Sequence, residues 1–304
     1  MSDLPEGRDA RPLVLVAGAA SRDLTADDPR GWRLGGAATY ASLSLARLGL
    51  RVRALIGVDA AAAEARELDV LMAAGVEVAR APLANGPVFE NIELPGGRRQ
   101  RCLSVADRID PATLPPGWHD SDALLLGPVA GELPPAWASI PASFVALGWQ
   151  GLLRRLEAGA DVERVAPVPG PLLAAADLVG VSGDDVDRSV RLSELVDLIR
   201  PGATLVVTRG DRGGTELVSR RPARSTLRAY PAIPSNDVVD PTGAGDVFLA
   251  TLLAATIDSD RLGVRDPAGR LAFAAAAGSL AVERPGIDGV PTLEAVLRRV
   301  AEVA

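Results

Sequence analysis

Short apolar runs alternate with helical stretches along most of this 304-residue chain, and that alternation limits the folds open to it. Leu13 to Ala17, Arg51 to Gly57, Ala123 to Leu126, Phe144 to Leu147, Leu178 to Val181 and Thr204 to Thr208 read as buried strands. Between them, Ala37 to Leu48, Ala60 to Ala74, Asp185 to Ile199 and Pro267 to Glu283 read as helices. Strands and helices in alternation predict an α/β fold: a mostly parallel sheet flanked by helices on both faces. One segment breaks the pattern. Pro87 to Leu94, the turn Pro95-Gly96-Gly97 and Arg98 to Val105 read as a β-hairpin, at the edge of the sheet or projecting from it.

The charged residues narrow the chemistry. All 32 basic residues are arginines, and the absence of lysine excludes a Walker A loop and Schiff-base catalysis. A net charge of -7 argues against a general nucleic-acid surface. Cys102 is the single cysteine and reads as a half-buried strand thiol; His119 is the single histidine and reads as a surface or packing residue in a Pro-rich turn. Val16-Ala17-Gly18-Ala19-Ala20-Ser21 follows a strand but lacks the spacing of a dinucleotide-binding loop. With no long uncharged apolar run and no basic-then-apolar leader at Met1 to Glu6, a cytoplasmic protein with no membrane partner is expected.

Asp240-Pro241-Thr242-Gly243-Ala244-Gly245-Asp246 then stands out. Gly243 and Gly245 let the backbone turn sharply and let an anion approach its N–H groups. The following Val247 to Ala255 is apolar nearly all round, as in a helix buried inside a domain. The turn therefore sits at a helix N-terminus, where unpaired N–H groups and the helix dipole favour negative charge. Asp246, in the first turn, can accept the proton of an attacking hydroxyl, which suits phosphoryl transfer to an alcohol. A simple helix cap made by Thr242 or Asp246 is the competing reading.

Asp240 to Asp246, continuing into Val247-Phe248-Leu249-Ala250, resembles the C-terminal signature of the ribokinase (PfkB) family of carbohydrate kinases. Gly35-Gly36-Ala37-Ala38 resembles its double-glycine motif, Thr208-Arg209-Gly210-Asp211-Arg212-Gly213-Gly214 its nucleotide segment, and Ala281 to Gly286 part of its monovalent-cation site. The resemblance spans almost the whole chain, in the expected order. It implies one ribokinase-like α/β domain over 1–304, with a small β lid contributed mainly by about 85–106 and also by 18–34. It also implies an ATP-dependent, Mg²⁺-assisted kinase acting on a sugar or polyol hydroxyl, with K⁺ as a further cofactor and a homodimer as its assembly.

Carried over residue by residue, the resemblance makes Asp246 the general base and Gly243, Ala244 and Gly245 the anion hole. Asp23, Gly35, Gly36, Tyr40 and Arg99 would meet the acceptor; Ser182, Asp185, Thr208, Gly210 and Gly213 would serve the nucleotide and Mg²⁺. Asp240, Thr242, Ala281, Arg284 and Gly286 would surround the monovalent ion. Two positions depart from the family pattern. Tyr40 stands where many members carry asparagine, and Ser182-Gly183-Asp184-Asp185 stands where an Asn-x-x-Glu motif is usual. Ser182 to Asp185 would also cap the helix expected to run to Ile199. Phe89-Glu90-Asn91, Gly97 to Gln100 and Leu147 to Arg154 look similar to a branch that includes inositol kinases. A nucleoside kinase, or a sugar-binding protein of the same fold with lost or weak transfer, remains the alternative.

Overall fold

The computed structural model describes residues 11–94, 97–187, 189–220 and 225–303. Its centre is a nine-stranded sheet in the order β16-β15-β14-β13-β9-β8-β1-β4-β5. The strands are β1 (Leu13–Ala19), β4 (Arg51–Val58), β5 (Val76–Pro82), β8 (Ala123–Leu126), β9 (Phe144–Gly148), β13 (Leu178–Ser182), β14 (Thr204–Thr208), β15 (Gly214–Val218) and β16 (Thr226–Tyr230). From β14 across to β5 every pair is parallel, and the β14–β15 and β15–β16 pairs are antiparallel. All six strands expected from the sequence are present. The sequence reading missed β5, β15 and β16.

Alternation along the strands divides the core into two layers. Val14 and Val16 of β1 face a layer built with α1 (Ala37–Arg47), α2 (Arg66–Ala73), α5 (Ala244–Ile257), α7 (Pro267–Ala281) and α8 (Leu293–Val303). Leu15 and Ala17 face the opposite layer, with α3 (Pro171–Ala175), α4 (Leu192–Leu198) and the buried Trp137 and Trp149. A short α6 (Ser259–Leu262) follows α5. Helix α5 is buried from Val247 to Ala255, as its all-round apolar sequence requires.

The helix expected over Asp185 to Ile199 is much shorter, since α4 begins only at Leu192. The Asp187 carboxylate accepts hydrogen bonds from the N–H and hydroxyl of Ser189, a local turn that competes with helix. Ser182 to Asp185 therefore do not cap α4.

A second, five-stranded sheet has the order β11-β7-β6-β2-β3, from β2 (Arg22–Leu24), β3 (Trp32–Leu34), β6 (Val88–Leu94), β7 (Gly97–Ser104) and β11 (Ala160–Asp161). The expected hairpin is β6–β7, with its turn residues Pro95 and Gly96 outside the described residues. It is joined to β2 and β3 on one side and to β11 on the other. Phe89 and Cys102 pack on Val129, in the loop after β8, which turns one face of this small sheet towards the large one. Cys102 is fully buried, more than the strand position alone implied, and His119 is exposed. A two-stranded ribbon, β10 (Arg154–Arg155) with β12 (Glu163–Arg164), completes the strands described. The Met1 to Glu6 segment lies outside the described residues.

Candidate active site

The parallel strands β1, β8, β9, β13 and β14 all end at one edge of the large sheet, and ligands of open α/β sheets bind beyond that edge. The N-terminus of α5 comes to the same place, because Leu249 packs over the glycines of β9 and β13. A Cβ on Gly180 would lie 3.0 Å from Leu249 Cδ1. Gly243 caps α5 in the left-handed conformation with φ 78°, and a Cβ there would lie 2.4 Å from the Tyr40 ring. Only glycine satisfies both constraints. Tyr40 is thus the buried floor beneath the turn, and its bulk is what the departure from asparagine installs. Gly245, by contrast, has nothing within 4 Å of a would-be Cβ, so the space above the helix N-terminus is open.

Asp246 is half-buried in the first turn of α5. Burial pushes its carboxyl up from 3.8 to about 7; the positive charge of Arg154 opposes that rise, and the carboxylates of Asp185 and Asp23 add to it. A carboxylate poised near neutrality can take a proton at the pH where it works. Burial also raises the Tyr40 hydroxyl well above its ordinary range, assisted by Asp23, Asp240 and Asp246. Three acids therefore surround one aromatic floor.

Asp23 sits in β2, and Ser21 Oγ donates to its Oδ1 at 3.1 Å. A Cβ on Gly35 would lie 2.2 Å from Asp23 Oδ2, so the first glycine of the pair makes room for this carboxylate. Gly36, with φ 94°, lets the chain turn into α1, where a Cβ would meet the Ala19 carbonyl oxygen at 2.4 Å. Gly35→Ala is expected to displace Asp23, raising KM for the acceptor about tenfold with a smaller change in kcat, as measured by steady-state kinetics.

Arg99 is not brought to this group. Asp23 pairs in register with Phe89, and Phe89 with Cys102, whereas Arg99 pairs with Ile92, which puts it on the other face of the small sheet. Its half-exposed guanidinium binds both oxygens of Asp161 at 2.9 Å. The face that carries Asp23 instead presents Asn91 and Gln100, hydrogen-bonded to each other at 2.9 Å.

On the other side of Asp246, Asp185 follows the end of β13. Gln150 Nε2 donates to both its oxygens at 3.2 and 3.1 Å, and Arg154 Nη2 donates to Oδ1 at 3.2 Å. Ser182 Oγ accepts from the Asp184 N–H at 3.2 Å, a local turn beside Thr208, its register partner on β14. The Thr208 to Gly214 loop is folded on itself: Arg209 N–H donates to the Gly213 carbonyl at 2.7 Å, with Gly210 and Gly213 at positive φ. Asp240 lies under the anion turn, accepting from the N–H groups of Thr242 at 2.9 Å and Gly286 at 3.0 Å. The carbonyl oxygens of Ala281 and Arg284 converge on Gly289, where a Cβ would meet them at 2.1 and 2.9 Å.

Asp23, Tyr40, Asp185 and Asp240 thus lie close enough to act on one another or on Asp246, and Arg99 is set apart from them. The structure adds Arg154 and Gln150, which lie in the Leu147 to Arg154 segment that resembles the inositol-kinase branch but were not assigned to the site from sequence. Glu132 is also added. It is fully buried and ties the end of β1 to the loop after β8 by accepting from Ala19, Val129 and Ala130 N–H groups.

Comparison with known proteins agrees with this architecture. No curated protein is significantly similar in sequence. Residues 174–293 match the family described as pfkB family carbohydrate kinase. A pyrophosphate-dependent kinase in the ribokinase family, solved with a pyrophosphate analog and myo-inositol, superposes with a TM-score of 0.69 at 18% identity, over 94% of this chain and 99% of that one. The Methanocaldococcus jannaschii nucleoside kinase gives a TM-score of 0.68 at 16% identity, over 96% and 98%. Arabidopsis thaliana ribokinase, complexed with ribose and ATP, gives 0.66 at 17% identity, over 95% and 99%. The match to the pfkB family thus lies across the Asp246 turn, and the fold shared with ribokinase-family kinases runs through the rest of the chain.

Proposed function

We propose that this protein transfers a terminal phosphoryl group, from ATP with Mg²⁺, to a hydroxyl of a neutral sugar or polyol. The observation that carries this reading is Asp246: a half-buried carboxylate poised near neutrality, one turn into a helix whose entry is open above Gly245. The acceptor hydroxyl would donate to Asp246 and the transferred group would lie on the N–H groups of the Gly243 to Gly245 turn. In a loose transition state the proton leaves late, so holding the hydroxyl in line matters more than basicity. Asp23, Asp240 and Asp246 outnumber Arg33 around Tyr40, which favours an uncharged acceptor rich in hydroxyl donors over an anionic one. Asn91 and Gln100 supply further polar groups on the face that carries Asp23, which would act as the lid. A myo-inositol-bound neighbour agrees with a cyclitol as acceptor, and a nucleoside is the second class to test.

The donor's ends find suitable groups. Thr208, Gly210 and Gly213 would border the nucleoside. A Mg²⁺ carried in on the donor's phosphates would be held on the protein side by Asp185. That ion would neutralise charge on the phosphates. The carbonyls of Ala281 and Arg284 beside Asp240 are the donor type that a K⁺ ion takes, and the ion would sit beneath the anion turn. Asp240, Thr242 and Gly286 would hold that turn in shape.

The test is acceptor-dependent consumption of ATP, and in parallel of pyrophosphate, with Mg²⁺, K⁺ and a panel of inositols, pentoses, hexoses and nucleosides. Acceptor-dependent turnover is the expected result; ligand-induced thermal stabilisation with no turnover on any pair would replace the kinase by a binding protein. Because Asp246 must be ionised to accept a proton, kcat/KM should fall about tenfold per pH unit on the acidic side of about 7 and level off above it. An acidic limb near 4 would show that Asp246 is not the titrating base.

A further inference from the structure

We propose that Arg154 is a catalytic residue of this site, gripping the phosphoryl group in flight, with Asp185 and Gln150 as the residues that position it. The proposal rests on the phosphotransfer reading above and adds a group that reading does not use. The chain has no lysine and its one histidine, His119, is exposed in the turn before β8, so side-chain positive charge on a moving phosphoryl falls to arginine. The anion turn at Gly243 to Gly245 offers neutral amides. Arg154 is the arginine whose charge acts on Asp246 at the head of that turn.

Its placement is built rather than incidental. The turn from Gln150 to Leu152 follows β9 and is anchored on both sides by Trp149 and Leu153, 1% and 0% exposed. Gly151 lets it press against the loop after β8, where a Cβ would meet the Pro128 carbonyl oxygen at 2.2 Å. From this platform Arg154 and Asp185 form an ion pair at 3.2 Å with side chains only 11% and 13% exposed. Gln150 holds the same carboxylate, fixing the pair's orientation. An arginine carries five N–H donors in a planar fork matched to phosphoryl oxygens, and Asp185 accepts from one nitrogen, Nη2. Desolvation this deep makes the charge worth more to a transition state than it would be at the surface.

In the step, the acceptor oxygen bonds to phosphorus as the bond to the donor's bridging oxygen breaks. The hydroxyl proton passes to Asp246, and the electron pair stays on the departing phosphate. Arg154 neither gains nor loses a proton.

The experiment is steady-state kinetics of Arg154→Gln and Arg154→Lys with the best donor and acceptor, beside melting temperatures. For Arg154→Gln, kcat should fall about 100-fold, as when one preorganised donor to the transition state is removed. The acceptor KM should stay within about threefold. The charges acting on Asp246 are Arg154, Asp185 from the end of β13 and Asp23 from the small sheet, with Tyr40 from α1 beneath the turn and Arg33 from β3 acting on Tyr40; Arg154 is the cation among those that act on Asp246. Its loss should therefore move the acidic limb of kcat/KM to higher pH, and guanidinium ion in the buffer should restore part of the rate to Arg154→Ala. Arg154→Lys keeps the charge without the fork and should lose about tenfold in kcat with the melting temperature unchanged. If Arg154→Gln turns over within threefold of the wild type while Asp246→Asn is dead, the proposal fails and the kinase reading stands. A slow variant with an unmoved pH limb and no response to guanidinium would make Arg154 merely structural and overturns the proposal. If the wild type turns over no acceptor with either donor, both readings fall together.

Discussion

Asp246→Asn should lower kcat about 1,000-fold, the scale of losing a positioned general base, and should at the same time raise the melting temperature at pH 8. The amide keeps the volume of the carboxylate but cannot take the acceptor's proton. The stability gain follows from linkage. Burial raises the folded-state pKa from 3.8 to about 7, so the folded protein resists ionising this group more than the unfolded chain does. The cost is fully present above pH 7, shrinks as pH falls towards 3.8 and is absent below it. The gain from Asp246→Asn should shrink over the same window, as thermal denaturation at pH 8, 6 and 4 would reveal. A variant as fast as the wild type would remove Asp246 from the chemistry; an equal gain at all three pH values would show that its charge is not desolvated.

Gly245→Ala should separate folding from function in the opposite sense to most core substitutions. No atom lies within 4 Å of the added methyl, and alanine is the better helix former by about 0.5–1 kcal/mol. The fold should be unharmed or slightly stabilised. Yet the methyl would project into the space above the helix N-terminus, where a phosphoryl group must approach the backbone, and kcat should drop about 100-fold. Gly243→Ala makes the contrast. It combines a positive φ with a collision against the Tyr40 ring, so both stability and activity should fall. Equal activity of Gly245→Ala and the wild type would mean that the turn is only a helix cap.

What the sequence made legible was local. Gly243 to Asp246 could be read because a glycine turn, a carboxylate and an all-apolar helix occupy consecutive positions, and each has its own physical meaning. The six central strands could be read because both their faces are buried. Edge strands carry less signal: β16 is exposed from Thr226 to Ala229, and β5 mixes Glu77 and Arg80 among its apolar residues. The helix expected over Asp185 to Ile199 failed because Asp187 and Ser189 bond to each other locally, a preference that periodicity does not register. Arg99 was assigned to the acceptor from the family resemblance. The alternation of side chains along β7 puts it on the far face, which can be seen only once its partners on β6 and β2 are fixed. Arg154 and Asp185 lie 31 residues apart, and nothing in either neighbourhood announces the other.

In the proposed reaction the base and the anion turn at the head of α5 meet one acceptor hydroxyl and one terminal phosphate. A crystal structure of the protein with a non-hydrolysable ATP analogue, Mg²⁺ and the best acceptor measures this directly. The acceptor oxygen should lie within hydrogen-bond distance of an Asp246 oxygen and about 3–3.5 Å from the terminal phosphorus, with that phosphate on the N–H groups at the head of α5. An acceptor seated away from Asp246, or a terminal phosphate that makes no contact with the Gly243 to Gly245 turn, would contradict it.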